Sequence, residues 1–192
     1  MKKILVSILT GCSLMSAHAD LFQYTVTFSD LGEANPSSGT GFATANYDST
    51  LHTLSLSVNF SGLTGNTTAS HIHAATAIAG TGNAGVATTT PSLVGFPLGV
   101  TSGSFADTLD LTLASSWNPA YVTAHGGTTA QAETDFIAAI NAGKAYWNIH
   151  STFSPGGEIR GFLTAVPEPG SLALLGLGSV ALLFQRGLRR TI

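Results

Sequence analysis

Cysteine is almost absent from this chain. One occurs in 192 residues, Cys12, and it stands in the first twenty. If the leader described below is removed, no disulfide and no thiol chemistry remain. Charge is scarce as well, at 9% of residues. Lys2 and Lys3 lie at the start and Arg186, Arg189 and Arg190 at the end. Between them only Lys144 and Arg160 are basic. Set against nine acids (Asp20, Asp30, Glu33, Asp48, Asp107, Asp110, Glu133, Asp135 and Glu158), these two leave residues 20–166 at about −7. Such a surface excludes nucleic acid as a partner, because binding it relies on Lys and Arg at the phosphates. Also missing are G-x-S-x-G, a phosphate-binding glycine loop and H-E-x-x-H, so no familiar catalytic signature is present. Asp107 and Asp110 are three apart in a strand-like run and would face opposite ways, which gives paired-carboxylate chemistry no support.

What is present begins with the two ends. Residues 1–19 read as a signal peptide: Lys2 and Lys3, then an apolar run from Ile4 to Met15, then Ala17-His18-Ala19 as the cleavage triplet. Within it LTGC, residues 9–12, is similar to a lipoprotein box, which would place a lipid on Cys12. The other end carries Pro167-Glu168-Pro169, then an apolar or small stretch over 170–184, then Arg186, Arg189 and Arg190. As a helix that stretch reaches about 22 Å, short of a ~30 Å hydrocarbon core, so flanking residues and snorkelling arginines would complete the span. The basic tail would stay cytoplasmic and residues 20–166 outside. Tripeptide, short helix and basic tail together resemble the bacterial PEP-CTERM sorting signal. That resemblance implies an exosortase-type processing enzyme as partner, a transient anchor in the inner membrane, and delivery to the cell surface or extracellular matrix.

The exported segment alternates with period two. LFQYTVTF (21–28), GTGFATANYD (39–48), HTLSLSVNFSG (52–62), SGSFADTLDLTL (102–113), AYWNIHSTF (145–153) and EIRGFLTAV (158–166) all read as strands bounded by Gly, Ser, Asn and Pro. Only TTAQAETDFIAAINAG (128–143) reads as a helix. Thr128 or Thr129 would cap it, acids sit in its early turns, Phe136, Ile137 and Ile140 make its apolar stripe, and Gly143 stops it. Residues 77–92 have the composition of a long loop. The fold expected is all-β, an antiparallel sandwich or Greek-key barrel with one short helix near 129–142.

Chemistry concentrates in two places. His71 and His73 in SHIHAA share one face of a strand, and His150 follows in YWNIHS. If the two regions are neighbours, three imidazoles meet, a set that suits zinc or copper with one position open. The alternative is three histidines hydrogen-bonded within a polar patch. Glu158 and Arg160 would share a face of the last strand, either as an ion pair near the surface or as a second layer or anion site behind the histidines. His52 and His125 have no local context that recommends them.

Three pieces, ASHIHAA (69–75), FIAAINAGKAYWNIHS (136–151) and GGEIRGFL (156–163), resemble the CHRD domain first described in chordin. LGEANPSSGTGFATANYD (31–48) is similar to the family's first segment, with Glu33 and Pro36 on an E-x-x-P-like pattern and Gly39 and Gly41 on its glycines. The resemblance spans roughly 22–164. The family implies an extracellular binding domain, here for an exopolysaccharide or an extracellular protein. The order H-x-H, lone His, Arg is also faintly similar to copper–zinc superoxide dismutase, itself a sandwich. That likeness implies His71, His73 and His150 as copper or zinc ligands, with Arg160 near an anionic substrate. The bridging histidine, the cysteines and the zinc loop of that family are not recognisable. Two readings result: a non-catalytic surface or matrix protein, and an extracellular, redox-active metalloprotein.

Overall fold

A computed structural model describes residues 21–167. Eight strands and two helices follow in the order β1 (Leu21–Phe28), β2 (Thr40–Asp48), β3 (Thr53–Ser61), β4 (Thr67–His73), β5 (Gly103–Asp110), α1 (Pro119–Ala124), α2 (Thr129–Asn141), β6 (Tyr146–Ser151), β7 (Ile159–Phe162) and β8 (Thr164–Ala165). They form a five-stranded sheet, ordered β5-β3-β2-β1-β8, and a three-stranded sheet, β4-β6-β7. Every pairing is antiparallel, so the expected sandwich is the fold observed.

The alternation seen in the sequence sets the core. Tyr24, Val26 and Phe28 on β1, Ala43 and Ala45 on β2, and Leu54, Leu56, Val58 and Phe60 on β3 face inward and are buried. Register matches large to small: Val26 and Val58 flank Ala43, and Tyr24 and Leu56 flank Ala45. The small sheet supplies Ile72, Trp147, Ile149 and Ile159 to the same core. The outer face of the large sheet is uncovered and polar. Gln23, Thr25 and Thr27 stand there on β1, Thr44 and Asn46 on β2, Ser55, Ser57 and Asn59 on β3, and Ser104 and Thr108 on β5.

The sheets join on one side. Ser29, just past β1, exchanges both backbone hydrogen bonds with Arg160 of β7, at 3.1 and 2.9 Å. The single strand expected over 158–166 is divided: Ile159–Phe162 pairs with β6 and Thr164–Ala165 with β1. Gly161 packs directly against the Thr27 carbonyl, where a Cβ would collide with the β1 backbone.

Helix α2 begins where its cap residue predicts: the Thr128 side chain accepts from Gln131 N at 3.2 Å. The acids of its early turns do not serve its N-terminus. Glu133 turns inward instead and accepts from Tyr47 Oη at 2.7 Å. A second helix, α1, was not expected, although Asn118 caps it and Pro119 opens it. Trp117 and Tyr121 from this segment pack edge-on to Phe136 of α2.

Candidate metal centre

Alternation on β4 turns Ser70 and Ile72 toward the core and leaves His71 and His73 on the other face of the small sheet. β6 does the same with Trp147 and Ile149 inside and Tyr146, Asn148 and His150 outside. Register pairs His73 with Tyr146, His71 with Asn148, and His150 with Ala69. The small Ala69 leaves His150 free to lean diagonally toward His71. This face is nonetheless buried, because segments 29–35, 77–92 and 152–157 fold over it. His71, His73 and His150 are only 7%, 8% and 8% exposed.

The three imidazoles converge. Ring centroids lie 4.6 Å apart for His71–His150, 4.8 Å for His71–His73 and 6.1 Å for His73–His150. Their ligand nitrogens all fall within 4.8 Å of one another. Bonds of ~2.0–2.1 Å to a single ion would draw any two of them to about 4 Å or less, a side-chain adjustment.

Hydrogen bonding decides the tautomers. His71 Nδ1 lies 3.1 Å from the Pro91 carbonyl, His73 Nδ1 2.8 Å from that of Ala84, and His150 Nδ1 2.9 Å from that of Pro155. A carbonyl only accepts, so each Nδ1 carries the proton and each neutral ring presents a bare Nε2. His71 Nε2 and His150 Nε2 then face each other at 2.9 Å with lone pairs opposed. His73 Nε2 is buried with no partner. Burial first, then the proximity of His150 and His73, holds His71 down to about 4 against the pull of the Pro91 carbonyl. Burial lowers His73 to about 4, the Ala84 carbonyl opposing and His150 and Arg160 adding to the effect. Burial lowers His150 too, against the Pro155 carbonyl. Three neutral, carbonyl-tethered imidazoles with converging lone pairs are the donor set a zinc or copper ion takes, and a carbonyl behind each ring is its usual second layer.

Arg160, on β7, belongs to the same face, opposite Asn148. Its Nη1 donates to Asn83 Oδ1 at 2.7 Å, and its guanidinium lies 4.6 Å over the Tyr146 ring. Tyr146 stacks in turn on His73, at 4.6 Å and 5° between planes. The expected pair between Glu158 and Arg160 does not form, and neither residue is near the surface. Arg160 Nε faces Glu33 Oε1 at 3.3 Å, and Asn148 Nδ2 donates to that same oxygen at 3.0 Å. Burial raises Glu33, with Arg160 and Asn148 opposing. Glu158 precedes β7, after Gly157 with φ +136°, and escapes the strand alternation. Its carboxylate is fully buried and accepts from Ser37 Oγ, Ser151 Oγ and the amides of Thr64 and Gly65. Burial pushes it up, yet these four donors outweigh that and leave it lowered.

His52 and His125 lie elsewhere: His52 Nδ1 meets Glu133 at 3.0 Å, and His125 stacks on Tyr121. Asn83, Asn148 and Tyr146 carried no signal as parts of the centre. Glu33 was visible only through the family pattern.

Residues 22–163 match the CHRD domain model, which therefore covers most of the chain and all three histidines. The chain belongs to the CHRD-domain family. Residues 165–190 match the PEP-CTERM protein-sorting motif, so the CHRD domain is followed directly by a signal that implies export and processing by an exosortase. No curated protein and no solved structure matches the chain. Among the described residues no helix is long and apolar enough to cross a membrane. The leader expected over 1–19 and the helix expected over 170–184 lie outside the described residues, as do Glu168 and Pro169 of the motif.

Proposed function

We propose that this exported protein is held briefly at the inner membrane by its tail and released to the surface or matrix by an exosortase. Its CHRD domain binds one copper or zinc ion through Nε2 of His71, His73 and His150. The observation that supports the metal most is the set of three Nδ1–carbonyl tethers, which leaves three buried lone pairs aimed at one another with no proton to share. The set has no thiolate and no carboxylate, which suits copper or zinc better than magnesium or calcium. Three protein ligands leave room for a fourth, and a bound ion would supply Lewis-acid or, for copper, one-electron chemistry there. Arg160 and Tyr146 orient the His73 side of the centre from behind.

Elemental analysis of the purified full chain, after incubation with copper or zinc and dialysis, tests this. The expected result is one ion per chain, falling to background in the double variant His71→Ala/His73→Ala. No stoichiometric metal, or the same metal content in the variant, overturns the reading. If copper is bound, a superoxide assay decides whether the centre is redox active.

A further inference from the structure

The face of the large sheet that points away from the metal centre has its own character. One row of paired residues across it runs Thr27, Phe42, Asn59 and Ser104. Phe42 stands in this row as a large aromatic among hydroxyl- and amide-bearing side chains, and it is 52% exposed. Nothing in the core needs it there, since its strand turns Ala43 and Ala45 inward instead. Beside it opens a cleft of about 490 Å³, lined by the polar residues Thr40, Asn59, Ser61 and Ser104 together with Gly41, Phe60 and Gly103. No ionisable side chain lines the cleft. The acids on this face, Asp48 and Asp110, belong to the row at the opposite end of the strands. At ~3.3 Å per residue that row is about 20 Å away.

We infer that this surface binds a neutral polysaccharide. An exposed ring beside hydroxyl and amide groups matches a pyranose, whose C–H face packs on an aromatic and whose hydroxyls both donate and accept. Asn59 offers a donor and an acceptor on one side chain, and Thr40, Ser61 and Ser104 offer hydroxyls that turn to suit. Charge selects against the other candidates. A sulfated or uronic-acid polymer needs cations, and this cleft has none, in a domain whose formal charge is already about −7. A protein partner would ask for a larger apolar centre than one phenylalanine. The cleft is open rather than enclosed, which suits a chain running across the strands rather than a single enclosed sugar. The inference does not rest on the metal, which lies on the other sheet.

Affinity electrophoresis of the full chain in mild detergent tests it, in native gels cast with hydroxyethylcellulose, mannan, dextran or alginate. Retardation by at least one of the neutral polymers is expected. Phe42→Ala should weaken it about tenfold in apparent Kd, the loss that follows removal of one anchoring aromatic. Asn59→Ala/Ser104→Ala should weaken it as well. His71→Ala/His73→Ala should leave it unchanged, which separates this site from the metal centre. Thermal melts identify any variant that fails to fold, and Phe42→Tyr, which keeps the ring, should retain binding. No retardation by any neutral polymer, retardation by alginate alone, or equal retardation of folded Phe42→Ala overturns the proposal.

Discussion

Three buried neutral imidazoles make each histidine of the centre a source of acid sensitivity. Unfolded, each titrates near its ordinary 6.5; folded, His71 and His73 are held at about 4. Between these values the unfolded chain binds more protons than the folded one, so stability falls as the pH drops from 6.5 toward 4 and is fully present above 6.5. The slope is about 1.4 kcal/mol per pH unit for each ring that is charged unfolded and neutral folded. Melting temperatures of chelator-treated protein should therefore fall steeply across that window, and His71→Gln/His73→Gln should flatten the profile. A flat profile in the parent protein would count against the buried neutral rings. Glu158 acts lower on the scale. Its folded value is lowered from 4.5, so its contribution is present above that pH and disappears as the pH falls through the folded value. Replacing it by alanine strands two amides and two hydroxyls in the interior. At roughly 1.5–3 kcal/mol for a hydrogen bond to a charged group, with partial relaxation, Glu158→Ala should cost about 3–5 kcal/mol by urea unfolding. A loss below about 1 kcal/mol would show that the carboxylate is dispensable.

Helix α2 shows how elements obey local rules and then serve the whole. Its end is a Schellman motif: Lys144 N donates to Ala139 O at 2.8 Å and Gly143 N to Ile140 O at 2.9 Å, with Gly143 at φ +67°. The turn delivers the chain straight into β6, the strand that carries Tyr146, Asn148 and His150. Gly143→Ala places a Cβ in the left-handed region and should cost about 1 kcal/mol, read as a melting temperature lower by several degrees. An unchanged melt would mean that the turn relaxes at no cost. This helix and the long strands were legible in the sequence because period and caps agreed over many residues. Helix α1 was not, since six residues show no period, and only Asn118-Pro119 marked it. The division of β7 from β8 was hidden for a different reason: the alternation runs on through Leu163 while the pairing partner changes, and only the crowding at Gly161 records the crossing. At the centre, His71 and His73 were readable as one face of a strand. His150 needed the β4–β6 register to join them. The three carbonyls that set the tautomers leave no trace in residue identity, and Glu158 misled because Gly157 breaks the alternation just before it.

At the scale of the whole molecule, the CHRD match over 22–163 and the sorting-motif match over 165–190 occupy successive stretches. The last described strand, β8, pairs Thr164 with Thr25 and Ala165 with Tyr24, and Val166 N donates to Gln23 O at 2.8 Å. Among the described residues no strand pairing lies beyond that point, while the match to the sorting motif extends to residue 190. Removing residues 167–192 should therefore leave the melting temperature and metal content of the domain unchanged. It also removes the tripeptide, the apolar run and the three arginines together, so under the proposed sorting it would lose both what an exosortase recognises and the pause at the membrane. If residues 170–184 span the membrane as their sequence predicts, their short helix depends on the arginines, so Arg186→Ala/Arg189→Ala/Arg190→Ala should weaken retention even with the tripeptide intact. Cell fractionation with detection of the domain separates the steps: the deletion should move the protein from the membrane and surface fractions to the soluble exported fraction with its fold preserved. The same distribution for the parent and the deletion would remove the tail from the account of how this protein reaches its place.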